Sequence, residues 1–314
     1  MELTDEEQGL AAQAGCAVLT PADAGYPAPL REIYDPPAVI YMKGRWSEAD
    51  DRIAVAIVGS RHCSHYGERT AGHLAYELAL RGVTVVSGMA RGIDAAAHWG
   101  ALKAAGRTLA VLGNGLSSIY PPEHRELAEA IAQHGAVISE YPMRMKPLGH
   151  NFPRRNRLIS GLSLGVVVVE AAAKSGALIT ADQALEQGRE VFAVPGNIGS
   201  LTSEGTHHLL KQGAKLVTSV EDILEELRLK PMERVTGPSG KVSDTSPARK
   251  VSDTFVSDEE RLVLEHLNAD EPHDIDELVA ATGLSASACA ATLLGLEVKR
   301  FVKQLPGKRF VAQG

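Results

Sequence analysis

Short β-branched runs alternate with Ala-rich amphipathic segments through most of the chain. The β-branched runs are continuous rather than interrupted by polar residues, which predicts strands buried on both faces. The predicted strands are Ile53–Val58, Val83–Ser87, Thr108–Leu112, Ala136–Ser139, Leu164–Glu170, Glu190–Val194 and Lys215–Thr218. The predicted helices between them include Gly67–Arg81, Ile93–Ala105, Pro122–His134 and Thr180–Gln187. This repetition predicts an α/β fold with a doubly wound, mostly parallel Rossmann-like sheet.

The two ends of the chain follow other patterns. Residues 1–45 are irregular and rich in proline between Tyr26 and Tyr41, which predicts an extended arm packed on a sheet domain of residues 46–230. Residues 231–254 are rich in Pro, Gly and Ser and predict a flexible linker. Residues 255–314 predict a small winged helix-turn-helix domain, in which three helices precede a β-hairpin of Val302–Leu305 and Arg309–Ala312.

Composition restricts the function classes. The sequence has 314 residues and a net charge of −7, and no apolar run long enough for a membrane helix. Three isolated cysteines form no disulfide framework or zinc motif, and they predict a reduced, cytoplasmic setting without a metal. The acidic balance argues against wholesale coating of nucleic acid but permits a local basic groove.

One stretch departs from this acidic balance. Between Tyr141 and Arg157 there is no carboxylate, but there are Arg144, Lys146, Arg154, Arg155 and Arg157. Guanidinium groups bind phosphate in a bidentate manner, and the neighbouring Phe152 could stack on an unpaired base. The alternative is a solvated basic loop with Phe152 in the core, and the stretch by itself leaves both interpretations open.

Three Gly-rich loops follow predicted strands, where an open α/β sheet places its ligands. They are Gly59-Ser60-Arg61, Ser87–Gly92 and Lys174-Ser175-Gly176. Glycine allows close approach of the backbone to an anion, and small hydroxyl groups add donors. Together with the basic stretch they favour an anion site.

Several enzyme motifs are absent or misplaced. The chain has no P-loop sequence and no G-x-G-x-x-G after its first strand, so no nucleotide cofactor is expected. Gly161–Gly165 matches G-x-S-x-G, but its predicted strand follows the serine instead of preceding it. Asp94 and His98 have metal-binding spacing without a third ligand, which favours a capping Asp and a packed His.

The predicted recognition helix that begins at Ser285 lacks side chains that read base edges. The charges of this domain surround the wing instead: Lys299, Arg300, Lys303, Lys308 and Arg309. Contact with a protein partner or with the nucleic-acid backbone is expected, the former slightly favoured.

A long ordered set of motifs resembles the DNA-processing protein A family, also called DprA or Smf. The matching elements are Ile57–Arg61, Ser64, Tyr66-Gly67, Ser87-Gly88, Gly92–Asp94, His98, Ser139–Pro142, Phe152-Pro153, Arg155–Arg157, Glu170-Ala171, Ser175-Gly176 and Val194–Asn197. The resemblance implies a dimeric, non-enzymatic protein without a cofactor that binds single-stranded DNA. It also implies that such a protein protects incoming strands during natural transformation and loads the RecA recombinase, with single-strand-binding protein as a further candidate partner.

Carried onto this chain, the resemblance implies that Arg61, Phe152, Arg155 and Arg157 line a DNA groove. The loops at Gly88 and Ser175-Gly176 would donate backbone N–H groups to phosphates. The complete set of expected binding residues is Ser60, Arg61, Gly88, Lys146, Phe152, Arg154, Arg155, Asn156, Arg157, Ser175 and Gly176. Relatives carry a basic residue where this chain has Gly149, and Lys146 or Arg144 is expected to replace it. The small N-terminal helical domain of some relatives is expected to be reduced or missing, and a symmetric dimer is expected around Asn197–Lys215.

Two further hypotheses remain. A nucleotide-processing enzyme similar to phosphoribohydrolases would use Glu170 as general base and Arg157 on the phosphate. A pure adaptor would bind a protein partner through the winged helix, with only incidental DNA contact.

Overall fold

The computed structural model describes residues 5–47, 53–229, 258–267, 272–298, 301–305 and 309–312. The chain separates into two compact units, Met1–Gly237 and Pro238–Gly314. The predicted linker, residues 231–254, lies outside the described residues. In the described part of the chain, no single helix is long and apolar enough to span a membrane. The bent pair Ile275–Thr282 and Ala286–Glu297 meets the length and composition criteria only when taken together.

The first unit is built on one mixed sheet. Its strands are β1 (Cys16–Leu19), β2 (Ile40–Gly44), β3 (Ala54–Val58), β4 (Thr84–Ser87), β5 (Thr108–Val111), β6 (Ala136–Ser139), β7 (Gly165–Val168), β8 (Glu190–Ala193) and β9 (Lys215–Leu216). They are ordered β1-β2-β6-β5-β4-β3-β7-β8-β9, and all are parallel from β6 to β9. The prediction of a doubly wound, mostly parallel sheet is confirmed.

Helices cover both faces of this sheet. They are α1 (Asp5–Gln13), α2 (Ala28–Arg31), α3 (His65–Leu80), α4 (Ile93–Lys103), α5 (Arg125–His134), α6 (Asn151–Gly161), α7 (Gly176–Glu186), α8 (Glu204–Lys211) and α9 (Val220–Glu226). In β3, Val55 and Ile57 pack on the α3 and α4 side, whereas Ala56 and Val58 pack on the α6 and α7 side. Burial on both faces explains why the strand contains no polar residue.

The N-terminal segment differs from the predicted extended arm. It begins with a helix, and β1 and β2 extend the sheet beyond β6, with β2 antiparallel to both β6 and β1. Tyr26 and Leu30 are buried in the core beside α6, and the Tyr26 hydroxyl donates to the Pro37 carbonyl at 2.7 Å. The prolines made the segment look irregular and so obscured both strands. These prolines lie in the connection between β1 and β2 and not within either strand.

The second part of the basic stretch is helical and not a loop, since Phe152 to Arg157 form the first half of α6. Pro153 lies in the first helical turn, where its missing N–H leaves no intrahelical bond unmade. The apolar residues Leu158, Ile159 and Leu162 anchor the second half in the core. At about 100° per residue, Phe152 and Arg155 share one face, and Arg157 lies about 200° round the axis from Arg155.

The second unit contains α10 (Asp258–Glu265), α11 (Ile275–Thr282) and α12 (Ala286–Val298), with strands β10 (His273–Asp274), β11 (Val302–Leu305) and β12 (Arg309–Ala312). The strands pair antiparallel in the order β10-β12-β11. Asp274 and Glu277 form a capping box at the start of α11, and left-handed Gly283 ends it. These elements confirm the predicted winged helix.

Candidate nucleic-acid interface

Adjacent parallel strands end at one edge of the sheet, and their loops deliver side chains to a small cleft. Arg61 follows β3, Arg91 follows β4 and Tyr120 follows β5, while Phe152 begins the helix after β6. These four residues line the cleft together with Arg155 and the backbone of the Gly88 loop. A ligand site was expected at the Gly-rich loops after the predicted strands, and this edge adjoins the switch point between β3 and β7.

The Phe152 ring is half-buried and fixed by cationic and aromatic neighbours. The guanidinium carbon of Arg61 lies 5.4 Å from the ring centroid, and that of Arg155 lies 5.9 Å from it. The Tyr120 ring centroid is 5.8 Å away, with 40° between the two ring planes. A Cβ on Gly113 would lie 2.7 Å from the ring, so the ring packs directly against that backbone.

Arg155 supports this ring from inside the protein. Its Nη1 donates to the Gly88 carbonyl at 2.9 Å and to the Val111 carbonyl, and its Nε donates to Asn156 Oδ1 at 3.2 Å. Burial lowers the pKa of the guanidinium to about 10, against the opposing effect of Asp94. Arg155 is therefore cationic at neutral pH, with its donors directed at the protein.

Gly88 lies between Arg155 and Asp94. A Cβ at this position would be 2.8 Å from Arg155 Nη2 and 2.8 Å from Asp94 Oδ2. The Gly88 and Ala90 N–H groups each donate to Asp94 Oδ2 at 3.2 Å. Burial raises the pKa of the Asp94 carboxyl, and the Arg155 charge opposes that rise. The Gly88 N–H was expected from the sequence to donate to a phosphate. In the structure it donates to Asp94 instead.

A second group of expected residues lies where α6 meets α7. Asn156 Nδ2 donates to the Gly176 carbonyl at 3.3 Å, and the Ser175 hydroxyl caps α7 by accepting from Ala177 N at 3.3 Å. Ser60 is held by its N–H, which donates to the Glu170 carbonyl at 2.8 Å. The hydrogen bond between Arg155 and Asn156 connects this group to the Phe152 cleft.

The remaining cationic residues fall into two groups, those that are exposed and those that form ion pairs within the protein. Lys146 and Arg154 are exposed. Arg157 donates to Glu140 at 2.6 Å and pairs with Asp35 at 3.2 Å, so its guanidinium is not brought to the Phe152 ring. Arg144 pairs with Glu6 at 3.0 Å. Because Gly149 has no atom within 4 Å of an added Cβ, that position borders open space.

Glu170 follows the end of β7 and holds the start of α3. Its carboxylate accepts from Ser64 N at 2.8 Å and from Ser64 Oγ at 2.5 Å. A Cβ on Gly67 would meet the Glu170 carboxylate at 2.5 Å, which explains the glycine there. This carboxylate stabilises a helix N-terminus, which accounts for Glu170 without a role as general base.

Asp94 and His98 do not form part of a metal cluster. His98 is buried, its Nδ1 lies 2.7 Å from Thr108 Oγ1, and burial lowers its pKa to about 3. Within the described residues, no group of three or more His, Cys, Asp or Glu side chains is placed to hold a metal ion.

With this geometry established, residues 17–228 match the family model of DNA recombination-mediator protein A, and residues 245–308 match the DprA winged helix domain. The chain belongs to the DprA/Smf family. The resemblance inferred from the motifs is confirmed.

The DprA/Smf relatives include protein Smf of Escherichia coli, which is 54% identical over 67% of this chain and 56% of its own length. The chain therefore spans little more than half of that relative. Protein Smf of Synechocystis is 39% identical over 93% of this chain and 79% of its own length.

Two solved DprA structures are similar to the chain. DprA of Streptococcus pneumoniae has a TM-score of 0.66 and 42% identity, covering 71% of this chain and 78% of its own. The second is DprA of Helicobacter pylori, whose structure was reported for its single-stranded DNA binding mode. It has a TM-score of 0.61 and 30% identity, covering 68% of this chain and 97% of its own.

Three residues in or beside the cleft of this DprA/Smf member were not among those expected from the sequence, namely Arg91, Tyr120 and Glu123. Arg91 Nε pairs with Glu123 Oε1 at 2.5 Å, which raises the pKa of Arg91 and lowers that of Glu123. One signal was available, because Tyr120 follows a predicted parallel strand whose carboxyl end must meet the same sheet edge.

Proposed function

We propose that this protein binds single-stranded DNA and acts as a recombination mediator during natural transformation. The observation that carries the proposal is the half-buried Phe152 ring, with Arg61 5.4 Å from its centroid, at the carboxyl edge of the parallel sheet. Every base has a face that stacks on an aromatic ring, and an adjacent guanidinium binds the phosphate. This combination binds a strand without reading its sequence.

The expected binding residues take different parts in this proposal. Phe152 stacks on a base, and the exposed Arg61, Lys146 and Arg154 hold phosphates. Gly88, Arg155 and Asn156 form the base of the cleft, to which Arg155 contributes positive charge. Ser60, Ser175 and Gly176 lie in the neighbouring Gly-rich loops. Binding of DNA by Arg157 stays a prediction. A phosphate at this guanidinium would compete with the carboxylates of Glu140 and Asp35.

Support for the biological role comes from the family. The matching model describes a recombination mediator, and the similar H. pylori protein is described by its single-stranded DNA binding. We therefore include loading of RecA, contact with single-strand-binding protein, a cytoplasmic location and the absence of catalysis in the proposal. RecA filament formation on strands coated with single-strand-binding protein tests the loading step.

The proposal also includes a homodimer through Asn197–Lys215. Two large apolar side chains in this segment face outward, Ile198 at 98% and Leu201 at 71% exposure. A symmetric contact would cover them and place two DNA sites in one particle. Light scattering at micromolar concentration tests it, and a monomer would contradict it.

The DNA experiment is fluorescence anisotropy with a labelled oligothymidine and its duplex across a salt series. We expect tighter, salt-sensitive binding to the single strand. Arg61→Ala should weaken it and reduce the dependence of log K on log salt by about 0.7. Arg45→Ala is the matched control, because this exposed arginine follows β2, whose end pairs with the start of β6 at the opposite sheet edge. Equal binding by both variants would contradict the groove.

A further inference from the structure

The loop after β4 and the loop after β5 contribute a second pair of exposed side chains beside Phe152. Tyr120 is 37% exposed, and Arg91 and Glu123 are each about half exposed. Tyr120 and Arg91 line the same cleft as Arg61 and Phe152, but the binding residues expected from sequence do not include them.

We propose that Tyr120 and Arg91 form a second nucleotide subsite, in which Tyr120 stacks on the base next to the one on Phe152 and Arg91 holds a backbone phosphate. The inference rests on the proposed binding of single-stranded DNA. The site takes a nucleotide of any base, because stacking and phosphate pairing recognise features common to all nucleotides.

The ring geometry fits two bases rather than one. The centroids of Tyr120 and Phe152 are 5.8 Å apart, and their planes are tilted by 40°. Rings that are neither coplanar nor stacked on each other offer separate faces to successive bases.

The charges fit a phosphate at Arg91. Its Nε is paired with Glu123 at 2.5 Å at a solvent-exposed position, which leaves the other guanidinium nitrogens without a hydrogen bond to the described residues other than Tyr120. Glu123 thus orients the Arg91 guanidinium and balances its positive charge in the free protein. An incoming phosphate would compete with Glu123 for the guanidinium, and this competition lowers the affinity that Arg91 alone would give.

The first test uses variants of the ring. Tyr120→Ala is expected to weaken oligothymidine binding about 5- to 150-fold, the range for loss of one base stack, and Tyr120→Phe is expected to retain it. Tyr34→Ala is the matched control, because Tyr34 is fully exposed in the same unit and forms no ring contact among those described. A Tyr120→Ala variant that binds like the Tyr34→Ala control, or a Tyr120→Phe variant that binds like Tyr120→Ala, would overturn the subsite.

The second test uses Glu123→Gln, which is expected to tighten binding about 1.5- to 5-fold at low salt by freeing Arg91. A gain of affinity does not arise from misfolding, so this variant keeps the proposal falsifiable if Tyr120→Ala is unstable. The gain should disappear when Arg91→Ala is combined with Glu123→Gln, and unchanged or weaker binding by Glu123→Gln would overturn the role of Arg91.

Failure of the subsite and failure of the proposed function are distinguishable. If the parent protein does not bind oligothymidine, the proposed function fails and the subsite fails with it. If the parent binds and Phe152→Ala weakens binding while Tyr120→Ala and Glu123→Gln match the Tyr34→Ala control, only the subsite is overturned.

Discussion

The guanidinium carbon of Arg61 lies 5.4 Å from the centroid of the Phe152 ring, although Arg61 follows β3 and Phe152 lies in the first turn of α6. The face of an aromatic ring has a negative electrostatic potential, which attracts the guanidinium and holds it in position. Under the proposed function, this contact holds a phosphate-binding guanidinium beside a base-stacking ring before any strand binds, which would reduce the ordering cost of binding.

Replacement of Phe152 tests the platform. Phe152→Ala should weaken single-strand binding by about 1–3 kcal/mol, similarly for all base compositions, because every base stacks on the ring. Anisotropy titrations with homopolymers of each base measure this effect. Phe152→Leu keeps much of the apolar volume without the aromatic face and is expected to bind nearly as weakly. A leucine variant with parental affinity would show that the side chain only fills space.

Replacement of Gly88 tests the packing beneath the ring. Gly88→Ala places a methyl group 2.8 Å from both Arg155 Nη2 and Asp94 Oδ2, and we expect about 1–3 kcal/mol of destabilisation in urea unfolding. Gly176→Ala is the matched control, because no atom lies within 4 Å of its Cβ and its φ is not positive. Equal stability of the two variants would contradict this packing.

The strands and most helices of the sheet domain were predictable because burial on both faces requires continuous apolar runs. Val55 and Ile57 on one face and Ala56 and Val58 on the other leave no polar position in β3. Helix α6 was not predictable in this way. Its first half contains Pro153, and its one large apolar side chain, Phe152, is only partly buried, so it shows no apolar periodicity. Tertiary contacts of Leu158 and Ile159 make it a helix, and sequence periodicity over half an element does not reveal that.

The candidate site was predictable only in part for a similar reason. The resemblance pointed to Arg61, Phe152 and Arg155, which meet in the structure. It could not show that the Gly88 N–H donates to the Asp94 carboxylate or that Arg157 pairs with Glu140, because a motif match carries no hydrogen-bond geometry. The number of cations in a stretch does not tell which of them face solvent.

The buried His98 predicts a dependence of stability on pH. Its pKa is about 3 in the folded protein against an ordinary value of 6.5, so the unfolded state binds the additional proton between these values. The free energy of unfolding should therefore fall as pH decreases from about 6.5 towards 3, by up to about 1.4 kcal/mol per pH unit. The raised pKa of Asp94 acts in the opposite direction, so the His98 contribution must be measured by difference. Urea unfolding of the parent and His98→Gln across this range should show a shallower slope for the variant, and equal slopes would contradict a neutral buried His98.

The pairing of Arg157 predicts a structural role that can be separated from DNA binding. The side chains of Arg157 and Glu140 are only 11% and 8% exposed, whereas Asp35 is 59% exposed. Glu140→Ala should cost about 3 kcal/mol of stability, because it leaves a largely buried guanidinium without its closest partner. Asp35→Ala, on the same guanidinium, should cost less than about 1 kcal/mol, because the exposed pair is screened by water. Urea unfolding measures both changes, and anisotropy on the same samples should show oligothymidine affinities within about twofold of the parent. If Glu140→Ala instead tightens DNA binding strongly at little cost in stability, the freed Arg157 is a DNA ligand, as the family resemblance implies.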